Sequence, residues 1–509
     1  MSLRSGIFLC AAFTALAARP VQASVDIAAA PTKHVTCSAG LCTATAKHAI
    51  LNIADLETLL TTSDVTVKTG SGAATIEITT PLAWASTRRL TLDADLNVSI
   101  KAQVSIQGTG GLTVITLHDG VGGEFLFFPG GKIDFWDTSS SFAVNGNSYT
   151  LLNDVGSLAA AVAVSQYGFF ALAKDYDAGP DGTYSDSGVP TDLEGTFEGL
   201  GHSISNFSVS GTAREIGLFS QVGFLGSPTA ALRDIRMANA NVRAGKDALA
   251  GPLAGATRAS VEGASADGVV SAGTGSAVGG LIGYSSGSSS GSINRSFSTA
   301  SVKAGPFGLA GGLVGWGGAI SYSHASGNVT AGRHSDIGGL AGFIDSGNVV
   351  QSFATGNVAS TRSPAGDKMG GFVGEAGQYV NIVDSYATGS VQAGSGSTLG
   401  GMIGYTQSES IQTSYSTGQL TLSGDILRTR VGGFIGKSIA RDLENDYWDV
   451  DTSGYNNACS KSGYKCTGVT GLTDAAFKAN LPVGFDPAIW GQSASLNDGY
   501  PYLIANPPP

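Results

Sequence analysis

A five-residue phrase with glycine at its first, second and fifth positions recurs six times in the second half of the chain. Its copies begin at Gly279, Gly311, Gly338, Gly370, Gly400 and Gly432, so successive copies start 32, 27, 32, 30 and 32 residues apart. A near-constant period of this length indicates a solenoid, in which each repeat buries its apolar face only against its neighbours. A solenoid presents a long surface, which favours binding over catalysis.

A second phrase accompanies each glycine phrase and places a serine before an aromatic residue. The serines are Ser296, Ser323, Ser352, Ser385 and Ser414. The following residues are Phe297, His324, Phe353, Tyr386 and Tyr415, with the histidine as the exception. Degenerate glycine phrases near Gly217 and Gly251 extend the array, which predicts about eight coils.

Stacked coils turn equivalent positions into ladders of like residues, about 4.8 Å apart. The columns that contain Val278 and Ile282 lie on the same face by period-two alternation. The sequence therefore predicts that these two columns form the core. The column between them leaves two interpretations open. A bulge at the glycine pair would turn it inward, or it would form an exposed apolar stripe for docking. Its members are Leu281, Leu313, Leu340, Phe372, Met402 and Phe434.

The composition also predicts an extended β protein. Charged residues make up 13% of the chain, while glycine accounts for 74 of 509 residues. Short alternating segments fill residues 65–152, with turn residues between them. The one helix that the pattern predicts covers residues 157–173, with Ser157 as its N-cap, and a single helical turn is also possible at Asp55–Leu60.

The N-terminus predicts export. Arg4, the apolar stretch from Ile7 to Ala18 and the small residues before Ser24 have the pattern of a signal peptide at residues 1–23. No later apolar stretch is long enough to span a bilayer. The formal net charge of −11 argues against nucleic acid as a partner.

Two pairs of cysteines follow the predicted signal peptide. In an oxidising compartment the near neighbours are expected to pair as Cys37–Cys42 and Cys459–Cys466, one bridge at each end of the repeat body. The spacing of four and six residues does not match a zinc Cys-x-x-Cys site.

The glycine phrases resemble the GLUG repeats of filamentous-haemagglutinin-like bacterial surface proteins. The lead-in at Phe197–Asn206 and the closing segment at Tyr447–Gly454 resemble the corresponding segments of that group. The resemblance implies an all-β fold, a right-handed parallel β-helix, and an adhesin-like role. It implies a haemagglutinin-like block at 55–152, a GLUG solenoid at 197–440 and a closing segment at 441–509, while the residue pattern itself predicts a cap at 24–54 and a helix and loop connector at 153–196.

The export route stays open at this point. The Asn-Pro-Asn phrases of the secretion domain in large haemagglutinins are absent. The resemblance implies a secreted or cell-surface protein, with an outer-membrane transporter as a candidate partner for export, and residence in the periplasm is the alternative.

Sequence patterns for catalysis are weak. The six histidines form no His-Glu-x-x-His helix of the zinc peptidases. Carboxylates fall at different phases of the repeat, so no recurring pair for glycoside cleavage is visible. Asp449, Asp451 and Ser453 match the first half of a calcium loop, but position twelve is Ser460 and not the glutamate that such a loop requires. A polar turn beside Trp448 is the competing interpretation.

The sequence therefore predicts an exported, non-enzymatic β-solenoid without a required cofactor. Its expected partners are glycans or proteins of a host or neighbouring cell surface. The alternatives are a carbohydrate-active β-helix and a structural stalk or remnant of a larger adhesin.

Overall fold

The computed structural model describes residues 23–509 except 71, 119–120, 287–290, 362–365, 424–428 and 461–465. The predicted signal peptide lies, apart from Ala23, outside the described residues. The described chain is an all-β parallel solenoid of about 13 turns with few short helices. The predicted fold class is confirmed. The count of about eight coils is too low for the whole solenoid, because the N-terminal strands stack as turns of the same kind.

Two sheets belong to the N-terminal turns alone. The five-stranded sheet contains, in spatial order, Phe125–Phe127, Val98–Ile100, Thr75–Ile78, Ser24–Ala28 and Ala49–Asn52. The three-stranded sheet contains Lys132–Phe135, Gln103–Ile106 and Leu82–Trp84.

A long sheet runs through both halves of the chain. Its N-terminal strands are Val35–Ser38, Leu41–Ala44, Val65–Lys68, Arg89–Asp93, Gly111–Ile115, Ser141–Val144 and Asn147–Leu152. It continues with Phe169–Leu172, Thr196–Glu198, Phe219–Val222, Ala231–Arg233, Ala254–Thr257, Ser260–Glu262, Ile282–Ser285, Ile293–Asn294, Val314–Gly317, Ile320–Ser321, Ala341–Val350, Val373–Val383, Ile403–Thr406, Ser410–Gln412, Ile435–Ser438 and Asp442–Glu444. Phe169–Leu172, which lies within segment 153–196, pairs on both sides within this sheet.

Two further sheets complete the repeat region. The eight-stranded sheet contains Glu215–Ile216, Leu249–Ala250, Ala277–Gly279, Leu309–Gly311, Asp336–Gly338, Lys368–Gly370, Thr398–Gly400 and Arg430–Gly432. The eighteen-stranded sheet contains Tyr176–Asp177, Thr183–Tyr184, Ser203–Ser205, Ser208–Gly211, Arg236–Ala244, Ser265–Ala272, Phe297–Ser298, Ser301–Ala304, His324–Ala325, Val329–Ala331, Phe353–Ala354, Val358–Ser360, Tyr386–Ala387, Val391–Gly394, Tyr415–Ser416, Leu420–Ser423, Asp446–Asp449 and Val469–Leu472. Antiparallel pairs are formed by Leu117–His118 with Val121–Gly122 and by Trp490–Gly491 with Tyr502–Leu503.

The helices differ in extent from the sequence prediction. Helix α1 (Ile53–Thr62) is longer than the single turn predicted, because the Asn52 side chain caps its first turn. Helix α2 covers Val155–Val164 and not 157–173. Its N-cap is Asp154, which accepts the Ser157 N–H at 2.7 Å. The predicted C-terminal part of that helix is the strand Phe169–Leu172.

The described residues also contain short helical segments that the sequence pattern did not identify as helices. Helix α3 covers Val450–Ser453 and helix α4 covers Asp474–Ala479. Short 3₁₀ turns occupy Gly179–Asp181 and Asn497–Gly499. Helix α4 and the second of these turns belong to the closing segment, which folds back onto the solenoid.

The glycine phrase forms a bulged corner between the eight-stranded and long sheets. The N–H groups of Leu281 and Ile282 both donate to the carbonyl of Leu313, at 2.9 and 3.2 Å. Two consecutive donors on one acceptor place both side chains on the core side. All six members of the Leu281 column are 0% exposed. The predicted alternative of an exposed docking stripe is therefore wrong, and the bulge interpretation is confirmed.

The last glycine of the phrase allows the two sheets to approach each other at this corner. A Cβ added to Gly342 would lie 2.5 Å from the backbone nitrogen of Ala310 and 2.7 Å from the carbonyl oxygen of Gly315. Both neighbours are backbone atoms, which cannot move aside as a flexible side chain could. Only glycine fits here, which explains why the phrase repeats.

The repeated serines form a hydrogen-bonded ladder inside the next corner. The Oγ of Ser323 accepts the N–H of Ser296 at 3.1 Å, and the Oγ of Ser352 accepts the N–H of Ser323 at 3.2 Å. Each hydroxyl donates in turn to a carbonyl two residues earlier, as Ser352 does to Val350 at 2.9 Å. The ladder satisfies buried backbone donors that would otherwise be costly.

Both predicted disulfides are present. Cys37 and Cys42 face each other across the hairpin Val35–Ser38 and Leu41–Ala44, and their Cα atoms are 4.0 Å apart. The Cα atoms of Cys459 and Cys466 are 6.1 Å apart. The bridges lie at opposite ends of the solenoid, where stacked coils lack a neighbour on one side.

Within the described part of the chain, no helix has the length and apolar character needed to cross a membrane.

Candidate functional site

A groove of about 900 Å³ lies where the five-stranded sheet ends beside the repeat region. One wall is the segment 124–131, which includes the strand Phe125–Phe127. The other wall and the floor come from a corner of the repeat coils that contains Asp234, Gly263, Arg295 and Tyr322. A volume of this size is typical of ligand sites. The groove is therefore the best candidate for a binding site.

The corner residues share an unusual backbone conformation. Asp234, Arg295 and Tyr322 have φ angles of 47°, 47° and 49°, and Gly263 has φ of 62°. Each stands between a strand of the long sheet and a strand of the eighteen-stranded sheet. Arg295 and Tyr322 are each followed by a serine of the ladder, Ser296 and Ser323. Left-handed conformations are uncommon for residues other than glycine, and the adjoining ladder serines hold the backbone from which the Arg295 and Tyr322 side chains project.

An ion pair joins the two walls of the groove. An Nη2–Oε1 distance of 3.2 Å separates Arg295 from Glu124, and the same nitrogen also pairs with Glu262. Burial lowers the pKa of Arg295, but the two carboxylates outweigh that effect and raise the pKa above its ordinary value. The guanidinium therefore stays charged and fixes the position of the loop before Phe125.

A carboxyl pair lies beneath the floor of the groove. Burial raises the pKa of Glu198 to about 7, although the charge of Arg233 opposes that shift. Burial also raises the pKa of Asp234 well above its ordinary range, and the nearby charges of Glu198 and Glu262 add to the effect. The pair can hold a proton near neutral pH, which is a property of acid–base sites as well as of buried structural pairs.

An aromatic column leads out of the groove along the solenoid. Phe297 is 38% exposed and stacks on His324, with ring centroids 5.0 Å apart and planes within 5°. The stack continues through Phe353, Tyr386 and Tyr415, at 4.5 to 5.1 Å. Burial lowers the pKa of His324 to about 4, so its ring is neutral at physiological pH.

The closing segment covers this column beyond the groove. Trp490 packs against Tyr386 and Tyr415 at 6.1 and 5.8 Å. The side-chain amide of Asn506 donates to the carbonyls of Ser323 and Gln351 at 3.3 and 3.1 Å. Ala505 lines the groove. The open groove and the covered column are therefore successive parts of one surface.

The residues predicted as a calcium loop have a structural role instead. Asp449 caps helix α3 through its Oδ1, which accepts the N–H groups of Asp451 and Thr452, and its Oδ2 accepts the Tyr500 hydroxyl at 2.7 Å. The Ser453 hydroxyl accepts the Tyr455 N–H at 3.3 Å. With its oxygens engaged by donors, Asp449 is not arranged as a cation ligand. Among the described residues, no group of three His, Cys, Asp or Glu side chains could hold a metal ion.

Sequence reasoning missed Glu124, Glu262 and Arg295. The repeat did show that the position of Arg295 lies one residue before the serine ladder, where the other coils carry Tyr322, Gln351 and Asp384. That variation among otherwise regular repeats was the available signal. Glu124 lies outside the repeats and had no signal of its own.

No family model matches the chain. The chain is 33% identical over 224 residues to halomucin of Haloquadratum walsbyi, a match that spans 39% of this chain but 2% of halomucin. A solved structure from Bacteroides ovatus, provisionally described as an immunoglobulin A1 protease, covers 71% of this chain and 93% of its own length, with 18% identity and a TM-score of 0.38. A TM-score this low supports no inference about activity.

Proposed function

We propose that this protein is an exported, non-enzymatic β-solenoid that binds partners at a cell surface, in the manner of an adhesin. The observation that carries the proposal is the groove between segment 124–131 and the repeat corner. Its size fits a bound segment of a larger molecule, and it combines aromatic side chains with a fixed charged network. The two disulfides and the partial likeness to halomucin are compatible with an extracellular location.

The solenoid suits this role because it is long and internally rigid. Its coils are joined by continuous backbone ladders and by the serine ladder. A rigid rod can hold one binding groove at a distance from the surface that carries it. The expected partners are glycans or proteins of a host or neighbouring cell surface.

Binding can be tested with residues 24–509 on two arrays, one of glycans and one of purified extracellular proteins. Phe128 is 42% exposed and lines the groove, whereas Trp136 is 66% exposed and lies outside it. Phe128→Ser is expected to weaken binding, and the matched control Trp136→Ser is expected to leave it unchanged. Binding to neither array, or equal loss in both variants, would contradict the proposal.

A carbohydrate-active enzyme is the second candidate, and one observation favours it. Glu198 and Asp234 form a buried carboxyl pair that can hold a proton, and Asp234 and the nearby Glu262 line the groove. General acid–base cleavage of a glycoside uses one protonated and one ionised carboxyl group on either side of the bond that is cleaved. Release of reducing ends from bound polysaccharide, abolished by Asp234→Asn, would establish this activity and refute the non-enzymatic role. Binding without release is the result that we expect.

A further inference from the structure

One strand beside the groove has an uncovered edge. The five-stranded sheet ends at the turn that contains Phe125–Phe127, Lys132–Phe135 and Ser141–Val144. The following chain covers the other two strands. The Ile133 and Phe135 N–H groups donate to the carbonyls of Leu200 and Ala173 at 3.1 and 2.8 Å, and Ser141–Val144 pairs with Asn147–Leu152. Among the described strands, Phe125–Phe127 pairs with Val98–Ile100 alone.

The register identifies the backbone groups that face the groove. The Val98 N–H donates to the carbonyl of Glu124 at 3.0 Å, and the Phe128 N–H donates to the carbonyl of Ile100 at 2.9 Å. In a parallel pair, alternate residues of a strand bond to its neighbour. Leu126 therefore bonds toward Val98–Ile100, and the N–H and C=O groups of Phe125 and Phe127 point away from that strand, on the side of the groove.

The opposite edge of the same sheet is protected. Lys33 and Ile50 exchange both of their backbone hydrogen bonds at 2.8 Å, which covers the strand Ala49–Asn52. Native proteins usually blunt an exposed apolar edge, because such an edge is a template for another strand. Phe125–Phe127 has no such protection among the described residues, and its side chains are only half-buried.

We propose that the groove binds an extended polypeptide segment of a partner protein, which adds as a strand to the edge Phe125–Phe127. This inference rests on the proposed binding function and specifies its partner. The two free residues present donors and acceptors that repeat at about 6.6 Å along the strand. An extended polypeptide backbone supplies partners at the same repeat, and a glycan does not.

The groove also determines which side chains the segment would carry. The rings of Phe125 and Phe127 are 4.9 Å apart and lie on one side of the edge strand. The Arg295–Glu262 pair and Tyr322 lie on the opposite wall. Apolar residues of the segment would contact the rings, and the alternate, polar residues would face the charged pair. A segment with period-two alternation of apolar and polar residues is therefore expected.

The inference can be tested with a phage-displayed library of random peptides, panned against residues 24–509. Enriched peptides are expected to alternate apolar and polar residues. Each selected peptide is then resynthesised with single backbone N-methyl groups at successive positions. Strand addition predicts that methylation weakens binding about tenfold at every second position and less than about twofold at the others. A flat methylation profile would overturn the proposal.

A pair of protein variants provides an independent measurement. Phe127→Ala and Phe127→Pro both remove the ring, and only the proline also removes the backbone N–H. Peptide affinity is expected to fall about tenfold further in the proline variant. Equal affinities would overturn strand addition. Because proline can also disturb the edge strand, the methylation profile on wild-type protein remains the deciding measurement.

The outcomes separate this inference from the proposed function. If no peptide is enriched and the glycan array gives ligands that Phe128→Ser abolishes, the groove binds glycans and the polypeptide assignment is wrong. If the purified chain forms a dimer that Phe127→Pro dissociates, the edge binds a second copy of this chain and not a partner protein. If neither peptides nor arrayed ligands bind, both proposals fail.

Discussion

Arg295 and Glu124 come from distant parts of the chain and meet in an ion pair at 3.2 Å. Arg295 lies in a repeat corner, whereas Glu124 precedes the last strand of the five-stranded sheet. The pair thus connects the repeat region with the segment that walls the groove. Because Arg295 also pairs with Glu262, its guanidinium is held from both sides.

Replacement of Arg295 by alanine should affect binding more than stability. Its side chain is 37% exposed, so the ion pair contributes less than about 1 kcal/mol to folding. Loss of the pair frees the loop before Phe125, and we expect at least about a tenfold weaker partner affinity. The control is Arg441→Ala, which removes the exposed Arg441–Glu409 pair outside the groove. Equal binding by both variants would show that the pair does not organise the groove.

The serine ladder should be sensitive to loss of one hydroxyl. Ser352→Ala leaves the buried N–H of Ser323 without its acceptor, at a cost of about 1–3 kcal/mol in the free energy of unfolding. As the control, Ser301→Ala removes an exposed hydroxyl from a strand of the eighteen-stranded sheet. It should change stability by less than about 0.5 kcal/mol. Urea denaturation measures both. A stable Ser352→Ala variant would mean that the ladder is a consequence of stacking and not a support for it.

The ladders could be predicted because the repeats are regular. Equivalent positions in a solenoid stack on one another, so the phase of Ser296 and its successors identified a column directly from the sequence. The sequence does not determine the direction of the Leu281 column, because strict alternation and a bulge predict opposite faces. The direction of this column depends on two N–H groups that share the carbonyl of Leu313. The pattern of side chains in the sequence does not encode this detail of backbone geometry.

The Leu281 column should contribute to stability rather than to binding. Phe372 is 0% exposed, and Phe372→Ala should lower the free energy of unfolding by about 3–5 kcal/mol. Phe343, half-buried on the outer side of the long sheet, is the matched control, and its loss should cost clearly less. Comparable values for the two variants would contradict the bulged geometry.

Stability should fall as pH rises through the range in which Glu198 ionises. Its pKa rises from 4.5 to about 7 on folding, so the folded state binds the proton more tightly than the unfolded state. The contribution is therefore fully present below pH 4.5 and is lost as the pH rises to about 7. Arg233, Asp234 and Glu262 are the charged and titratable groups that act on this carboxyl group.

The pH dependence can be assigned with Glu198→Gln. This variant keeps the shape of the side chain and cannot ionise, so its stability should decline less between pH 4.5 and 7 than that of the wild type. Urea denaturation across this pH range measures the difference. Parallel profiles for the two proteins would assign the dependence to other groups.

The groove itself could not be predicted from sequence. It forms where the non-repeated segment 124–131 meets Asp234, Arg295 and Tyr322, and no local pattern relates these parts. The predicted start of helix α2 was wrong for a local reason. The sequence predicts Ser157 as the cap, but Asp154 precedes it and accepts its N–H. In the sequence, the carboxylates occupy different positions of the repeat and show no recurring pair. The fold nevertheless brings Glu198 and Asp234 together from adjacent coils.

The most direct test of the central claim is amide hydrogen exchange of residues 24–509 with and without a partner identified on the arrays. The account predicts that protection increases at Phe125 and Phe127 and at the corner that contains Asp234 and Arg295, while the covered column near Tyr386 and Tyr415 stays unchanged. Protection confined to another face of the solenoid would contradict the assignment of the groove as the binding site.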